Sequence, residues 1–324
     1  MKKILIFIFG LAVSFGAEAP AQKVRTAIPR ATLNYLSVQI ADAKGFFRDE
    51  NLENETVVIV GSTAIAALVS GDVDYSGAGG SGMRAAVKGA PIKAILFQTE
   101  KVTWYLVAAT EIFKISDLKG KKIAVGTVGD TQDTLITMLL ERDGLSARDI
   151  TRVAMPSRST MMTLLALKTG AIHAATMNGD EALFAEKEGF HTLTFLGDLF
   201  PYPFQGFLTT DRKIAEKSGE IKRWLRPMIR ALLFIRERPE EAADIAMKRL
   251  PLATVSRQML VEGIHRFVRA LPEGIPGLPS RQGLKNAIQL DVKTPLKIRE
   301  EIPPDSFLNL RLVAEVREEL EGRH

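Results

Sequence analysis

From residue 22 to 210, short β-branched and apolar runs alternate with segments whose apolar residues recur at helical spacing. Lys23 to Ile28 predicts a strand, and Leu33, Leu36, Ile40 and Ala43 predict a helix stopped by Gly45. Thr56 to Val60 predicts a second strand, followed by a helix from Ala64 to Ser70 that stops at Gly71. Val73 to Ser76 is the third strand, and the glycine-rich run Gly77 to Gly82 opens a helix to Lys88. Ile92 to Phe97 and Val102 to Ala108 predict two more strands, the latter read as the crossing strand into a second half. The same order then repeats. Strands are expected at Lys121 to Val125, Thr151 to Met155 and Ile172 to Met177, with helices carrying Leu135, Ile136, Leu139 and Leu140, then Met161 to Lys168, then a third ending near Gly189. Leu193 to Phe195 and Pro201 to Thr210 are strands, the second returning the chain to the first half. Beyond them the pattern is helical. Ile221, Trp224, Leu225, Met228, Ile229 and Leu232 form one apolar face, Leu260, Ile264, Phe267 and Val268 another, and Leu312, Val313, Val316 and Leu320 mark a terminal helix.

The two halves echo each other at a constant offset. Lys23-Val24 aligns with Lys122-Ile123, Gly45 with Gly144, Ala67-Leu68 with Ala166-Leu167, Gly71 with Gly170, and Val73 with Ile172. The matched positions are mostly apolar or glycine, the kinds that fix a backbone, so the echo describes one βαβαβ unit used twice. Two α/β lobes leave a cleft between them, where a small molecule would sit.

At 324 residues the chain can bury about three quarters of its unfolded surface, enough for two lobes. Apolar content of 46% and charged content of 25% are globular values, which argues against a disordered or fibrous chain. The formal charge of +5 is not gathered into a patch. Lys119, Lys121 and Lys122 surround a turn, and Arg223, Arg226 and Arg230 lie along one helix side, so nucleic acid is not an expected partner. Lys2 and Lys3 precede the apolar run Ile4 to Phe15, with small-x-small patterns ending at Ala19 and Ala21. This reads as a signal peptide of residues 1–21, cleaved after Ala21, because a cut after Ala19 would leave Pro20 leading the mature chain. The apolar run falls short of the roughly twenty residues a membrane span needs. The mature protein is therefore expected to be exported and soluble. Cysteine is absent, which removes disulfides, thiolate nucleophiles and a lipid-bearing cysteine.

In open α/β sheets ligands bind beyond the carboxyl ends of strands, where helix starts present unpaired N–H groups. The candidate starts carry Thr32, Gly61 and Ser62, Gly80 and Ser81, Gly129, Asp130 and Thr131, Ser157, and Asn178 with Asp180. Glycine lets a ligand approach the backbone and hydroxyls add donors, which suits a sulfonate or carboxylate. The same residue types also serve as ordinary helix caps. Tyr35, Trp104, Tyr105, Tyr202 and Phe204 offer an apolar wall or core packing. Adjacent strand residues face opposite ways, so only one of Trp104 and Tyr105 reaches the cleft, and Trp104 is the candidate. Asp180 is positioned to pair with a ligand amine or to complement a helix dipole.

The runs Ala43-Lys44-Gly45-Phe46-Phe47, Gly71-Asp72-Val73-Asp74, Gly89-Ala90-Pro91-Ile92-Lys93, Asp117-Leu118-Lys119-Gly120-Lys121-Lys122-Ile123 and Ala166-Leu167-Lys168-Thr169-Gly170 together resemble the periplasmic solute-binding proteins of ABC importers. The similarity is to the branch that takes aliphatic sulfonates, taurine, nitrate and thiamine-pyrimidine precursors. It implies a type II periplasmic-binding-protein fold: two βαβ-type lobes joined by a two-strand hinge, with a helical C-terminal extension on lobe one. The expected divisions are 22–108 for the first part of lobe one, 109–205 for lobe two, and 206–324 for the return and the C-terminal helices. The resemblance further implies a monomeric periplasmic protein without cofactor, partnered by a small solute and an inner-membrane permease. His173 stands where the family often has Asp, and Asn178-Gly179-Asp180 matches no one ligand, so the solute stays open between a sulfonate or carboxylate and a pyrimidine-like heteroaromatic. A sensor domain and an enzyme share the scaffold. The family's desulfinases and pyrimidine synthases use cysteine, which this chain lacks, and His173, His191, His265 and His324 have no metal-ligand spacing. A non-enzymatic role is expected.

Overall fold

The computed structural model describes residues 20–126, 128–129, 131–155, 159–199, 201–251 and 255–322. The expected signal segment lies outside these residues except for Pro20 and Ala21.

The first half comprises β1 (Gln22–Ile28), α1 (Leu36–Ala43), α2 (Phe46–Asp49), β2 (Leu52–Val58), α3 (Gly61–Ser70), β3 (Tyr75–Ser76), α4 (Gly79–Val87) and β4 (Ile92–Thr99). The second comprises β5 (Trp104–Ala108), β6 (Lys122–Val125), α5 (Thr131–Arg142), β7 (Thr151–Ala154), α6 (Thr160–Lys168), β8 (Ala174–Asn178), α7 (Gly179–Lys187) and β9 (His191–Phe195). After β10 (Phe204–Thr210) come α8 (Asp211–Glu216), α9 (Ser218–Glu237), α10 (Pro239–Arg249), α11 (Arg257–Val268), α12 (Arg281–Ala287), α13 (Thr294–Leu296) and α14 (Arg311–Glu321). A π-helical turn, Ile288–Lys293, links α12 to α13.

The strands form two five-stranded sheets, ordered β2-β1-β3-β10-β4 and β7-β6-β8-β5-β9. In each, the first of three parallel strands lies between the other two. An antiparallel strand from elsewhere in the chain closes on the third: β10 on β3, and β5 on β8. This is the duplicated plan the sequence echo predicts. Its helix ends repeat as well, since Gly71 and Gly170 both hold left-handed φ values, 87° and 71°, that a side chain would resist.

The chain changes sheet between Thr99 and Trp104 and returns between Phe195 and Phe204. β5, read from sequence as the crossing strand, is bonded to β8 and β9 and so is a strand of the second sheet. β2 starts at Leu52, ahead of the expected Thr56, because the exposed Glu53 and Glu55 face solvent while Leu52 is fully buried opposite Gln22. α4 begins at Gly79 rather than Gly82 and lies so close to β10 that a Cβ on Gly79 would stand 2.9 Å from the Gly206 backbone.

Lobe one is centred on an aromatic stack. Trp224 of α9 lies 4.1 Å from the Tyr75 ring at 14°, meets Phe207 edge-on, and donates its indole N–H to Thr26 Oγ1 at 3.1 Å. Lobe two is held by Ile123, Val125, Leu135, Ile136, Leu139 and Leu140. The C-terminal segment joins both. Leu260, Ile264 and Phe267 of α11 belong to the lobe-one core, while Gly179 of α7 lies under Arg266, where a Cβ would meet that side chain at 2.8 Å. Farther on, Leu290 packs into lobe two and Val292 into lobe one. Among the described residues no helix is long and apolar enough to cross a membrane.

Candidate ligand-binding cleft

The carboxyl ends of β6, β7 and β8 open on a cavity of about 320 Å³. Gly126 and Met155 follow the first two strands, and Thr176 to Asn178 close the third. Thr131 and Gln132 at the start of α5, and Thr160 and Thr163 of α6, supply hydroxyls and an amide. Trp104 enters because β5 runs antiparallel, which puts its first residue beside the last of β8. Lobe one contributes Arg30, two residues beyond β1. A second recess of about 210 Å³ lies on the lobe-one side, floored by Gly77 to Gly80 and walled by Tyr35, Phe97 and Phe204. The two recesses share Thr131, and the Trp104 and Phe204 rings meet edge-on at 4.7 Å between them.

The charges differ between the recesses. Arg30 is exposed and makes no ion pair among the described residues, so its guanidinium faces the first cavity unneutralised by direct contact. Glu181, the carboxylate on that cavity's wall, is already engaged: it accepts from the Asn178 N–H at 2.9 Å, the Asn178 amide at 3.1 Å and the Thr160 hydroxyl at 2.9 Å. The lobe-one recess instead holds Asp291, 5% exposed, whose carboxylate accepts from Thr131 Oγ1 at 2.8 Å. Arg84 donates to the Asp291 carbonyl at 2.9 Å and stays 4.0 Å from its carboxylate. Burial pushes the Asp291 carboxyl above the usual range. Tyr202 beside it is pushed well up, first by burial and then by that carboxylate.

Several helix-start amides are occupied by the chain's own side chains. Gly129 N–H donates to Asp133 at 2.7 Å, Met162 N–H to Ser159 Oγ at 3.2 Å, and Asn178 N–H to Glu181. The strongest attraction for an anion therefore comes from Arg30, which pattern reasoning did not single out.

The residues expected at the site separate into groups. Trp104, Thr131 and Asn178 line the larger cavity; Tyr35, Gly80 and Thr131 line the smaller. Tyr35 donates its hydroxyl to Gly77 O at 2.9 Å. Ser81 turns its hydroxyl to Ala78 O at 3.1 Å, and neither it nor Thr32 lines either recess. Gly61 and Ser62 are exposed at the start of α3, away from both recesses. Gly129 is exposed at φ 84° beside the α5 start. Asp130 and Ser157 lie outside the described residues. Asp180 is half-buried and lines neither recess; its Cβ packs on Gly263 of α11. Burial first, then Glu181, pushes its carboxyl up to about 6, against an opposing pull from Arg30. Tyr105, facing the other way from Trp104, is buried against Phe195 at 4.7 Å. His173 Nδ1 accepts from the Lys122 N–H at 3.3 Å, a structural role.

Among the described residues, the bonds that join the lobes include two at the cleft. Asn34 Nδ2, just before α1, donates to Asn178 Oδ1 at 2.9 Å, and Thr131 joins Asp291, whose turn packs on α4.

Two similar α/β lobes with a polar, aromatic-walled cleft between them define a two-lobed binding-protein fold. The chain belongs to the NMT1/THI5-like family, whose profile matches residues 33–242. A curated relative, the riboflavin-binding protein RibY of Chloroflexus aurantiacus, is 23% identical over 271 residues, 76% of this chain and 75% of the relative. Among solved structures, the periplasmic aliphatic sulphonate binding protein SsuA from Escherichia coli superposes with TM-score 0.70 at 16% identity, covering 89% of this chain and 92% of that one. The desulfurization enzyme DSZB also shares the fold, with TM-score 0.65 at 13% identity over 92% of this chain and 99% of that one.

Proposed function

We propose that this protein is the extracytoplasmic solute-binding component of an ABC importer. It captures a small sulfonate- or carboxylate-bearing solute between its lobes and delivers it to an inner-membrane permease. The observation that carries the reading is Arg30, a guanidinium with no ion pair among the described residues, at the mouth of a cavity whose one carboxylate, Glu181, is already engaged by Asn178 and Thr160. Such a group binds an acid's oxygens through charge-assisted hydrogen bonds, which are stronger than neutral ones. The similarity to SsuA, an aliphatic sulphonate binder by name, supports an acid-bearing solute. Family membership and the expected signal segment support export to the periplasm. The absence of cysteine separates the chain from thiol-dependent chemistry on this scaffold, and we read it as a binder rather than an enzyme. Contacts from both lobes favour the closed form, and the solute shifts the population by its differential affinity for the two forms.

Calorimetric titration of the mature protein with short alkanesulfonates and alkanoates tests this. Binding is expected to be one to one, with Arg30→Ala weakening it roughly ten- to a hundredfold. Turnover of the added compound, or affinity indifferent to Arg30, would overturn the reading.

A further inference from the structure

The loop that carries Arg30 is docked on the first turn of α7. Asn34 Nδ2 donates to Asn178 Oδ1 at 2.9 Å, and a Cβ on Gly263 of α11 would stand 2.9 Å from the Leu33 side chain and 3.2 Å from Asp180 Cβ. Leu33 and Asp180 therefore converge on one point of α11. The same turn of α7 carries two adjacent carboxyl groups, Asp180 and Glu181. Glu181 lines the larger cavity together with Arg30, and its carboxylate is held by Asn178 and Thr160. One arginine and one carboxylate offset each other there, so the field that meets an entering anion is set by what stands behind them.

Asp180 stands there, half-buried and without an ion pair among the described residues. Its carboxyl accepts from the backbone N–H groups of Asp180 and Glu181 at the helix start. Few charges surround it. Glu181 on its own helix repels its ionised form, and Arg30 from lobe one attracts it. On α11, Arg266 covers Gly179 but gives its guanidinium to Glu186 at 2.7 Å, with Glu262 3.8 Å away, and His265 is exposed. From β5, Tyr105 lies under the Arg266 guanidinium at 5.0 Å. From β9, His191 rests on Ile112 O at 3.2 Å and on the Phe113 ring, and β8 brings no titratable side chain. Burial and then Glu181 hold the Asp180 proton up to about pH 6.

We propose that Asp180 is a proton-controlled governor of anion capture at Arg30. With its carboxyl neutral, one arginine faces one carboxylate; with it ionised, one arginine faces two, and the anion is held less tightly. This rests on the solute-binding reading above and adds a pH dependence to the same site. By linkage, a bound anion draws a proton onto Asp180.

The test is calorimetry of the mature protein with butanesulfonate and pentanoate, both ionised across the range, near pH 5.5 and near pH 7.5. The better-bound probe is expected to bind about three- to fivefold more tightly at the lower pH. Near pH 6, runs in buffers of different ionisation enthalpy should show about a third of a proton taken up per anion bound. Asp180→Asn, neutral at every pH, is expected to lose both the slope and the uptake; Asp180→Ser takes its place should the amide fold poorly. Equal wild-type affinity at the two pH values, tighter binding at the higher one, or a slope that survives in the neutral variant and so belongs to another group such as Asp291 overturns the inference while leaving anion capture standing. Failure of both probes to bind at either pH overturns both.

Discussion

The two lobes follow one backbone plan and use it for different work. Each places a central parallel strand between two others and closes the set with an antiparallel strand from elsewhere in the chain. Yet lobe one faces the cleft with arginines and bare backbone, through Arg30, Arg84 and Gly77 to Gly80, whereas lobe two faces it with Thr131, Thr160, Thr163, Thr176, Asn178 and the engaged carboxylate of Glu181. Their interiors differ too. Lobe one carries the Trp224–Tyr75–Phe207 stack and the long helices α9 and α10, while lobe two relies on aliphatic packing around α5. Even equivalent helix starts diverge: α6 is capped by Ser159 and borders the cavity, whereas α3 has no side-chain cap and starts with exposed Gly61 away from it. A duplicated scaffold fixes where strand ends fall. It does not fix which ends touch the solute.

This contrast yields graded expectations. The largest effect should come from the lobe-one stack. Trp224→Ala empties a fully buried site, leaves Thr26 without its indole donor, and should cost about 3–5 kcal/mol in urea unfolding. A loss below about 1 kcal/mol would show that the stack is not the anchor of that lobe.

Next is Asp180 at the lobe-two helix start. Its folded value of about 6 lies above the ordinary carboxylate range, so the folded protein holds that proton more tightly than the unfolded chain does. Its contribution is then full below about pH 4 and is lost as pH rises through 6. Asp180→Asn, which stays neutral, should match the parent near pH 4 and exceed it by about 1–2 kcal/mol at pH 7, the half-buried position reducing the full value. Melting curves across that range check it; a constant offset would assign the burial to some other cause.

The smallest effect concerns the bond between the lobes. Asn34→Ala removes one cross-cleft hydrogen bond, worth about 0.5–1.5 kcal/mol. It should raise the radius of gyration of the ligand-free protein in small-angle scattering, with added solute reversing the change. An unchanged profile would mean that Asn34–Asn178 does not hold the lobes together.

The architecture was legible because duplication leaves its mark at positions that backbone geometry controls. Gly71 and Gly170 end helices at left-handed φ, and apolar runs at matched offsets become the central strands. Trp104 could be assigned to the cleft because strand alternation allows only one of two adjacent aromatics to face it. Arg30 and Asp291 could not be found this way. Arg30 follows a strand end and belongs to no helix start, so no cap pattern points to it. Asp291 lies in a helical turn with no counterpart in the echo, and only tertiary packing brings it beside Gly80 and Thr131. Gly61 and Ser62 have the composition of a binding loop, but the orientation of α3 leaves them in solvent.

The seating of Leu290 in one half and Val292 in the other makes the tail of this chain a tether as well as a cover. Two strands alone would act as a door hinge, whereas attachments away from that axis turn a wide swing into a short slide. Truncation before residue 288 should therefore loosen both halves at once. A reporter fused after α14 would sit on an element anchored to the same frame, well placed to register that slide.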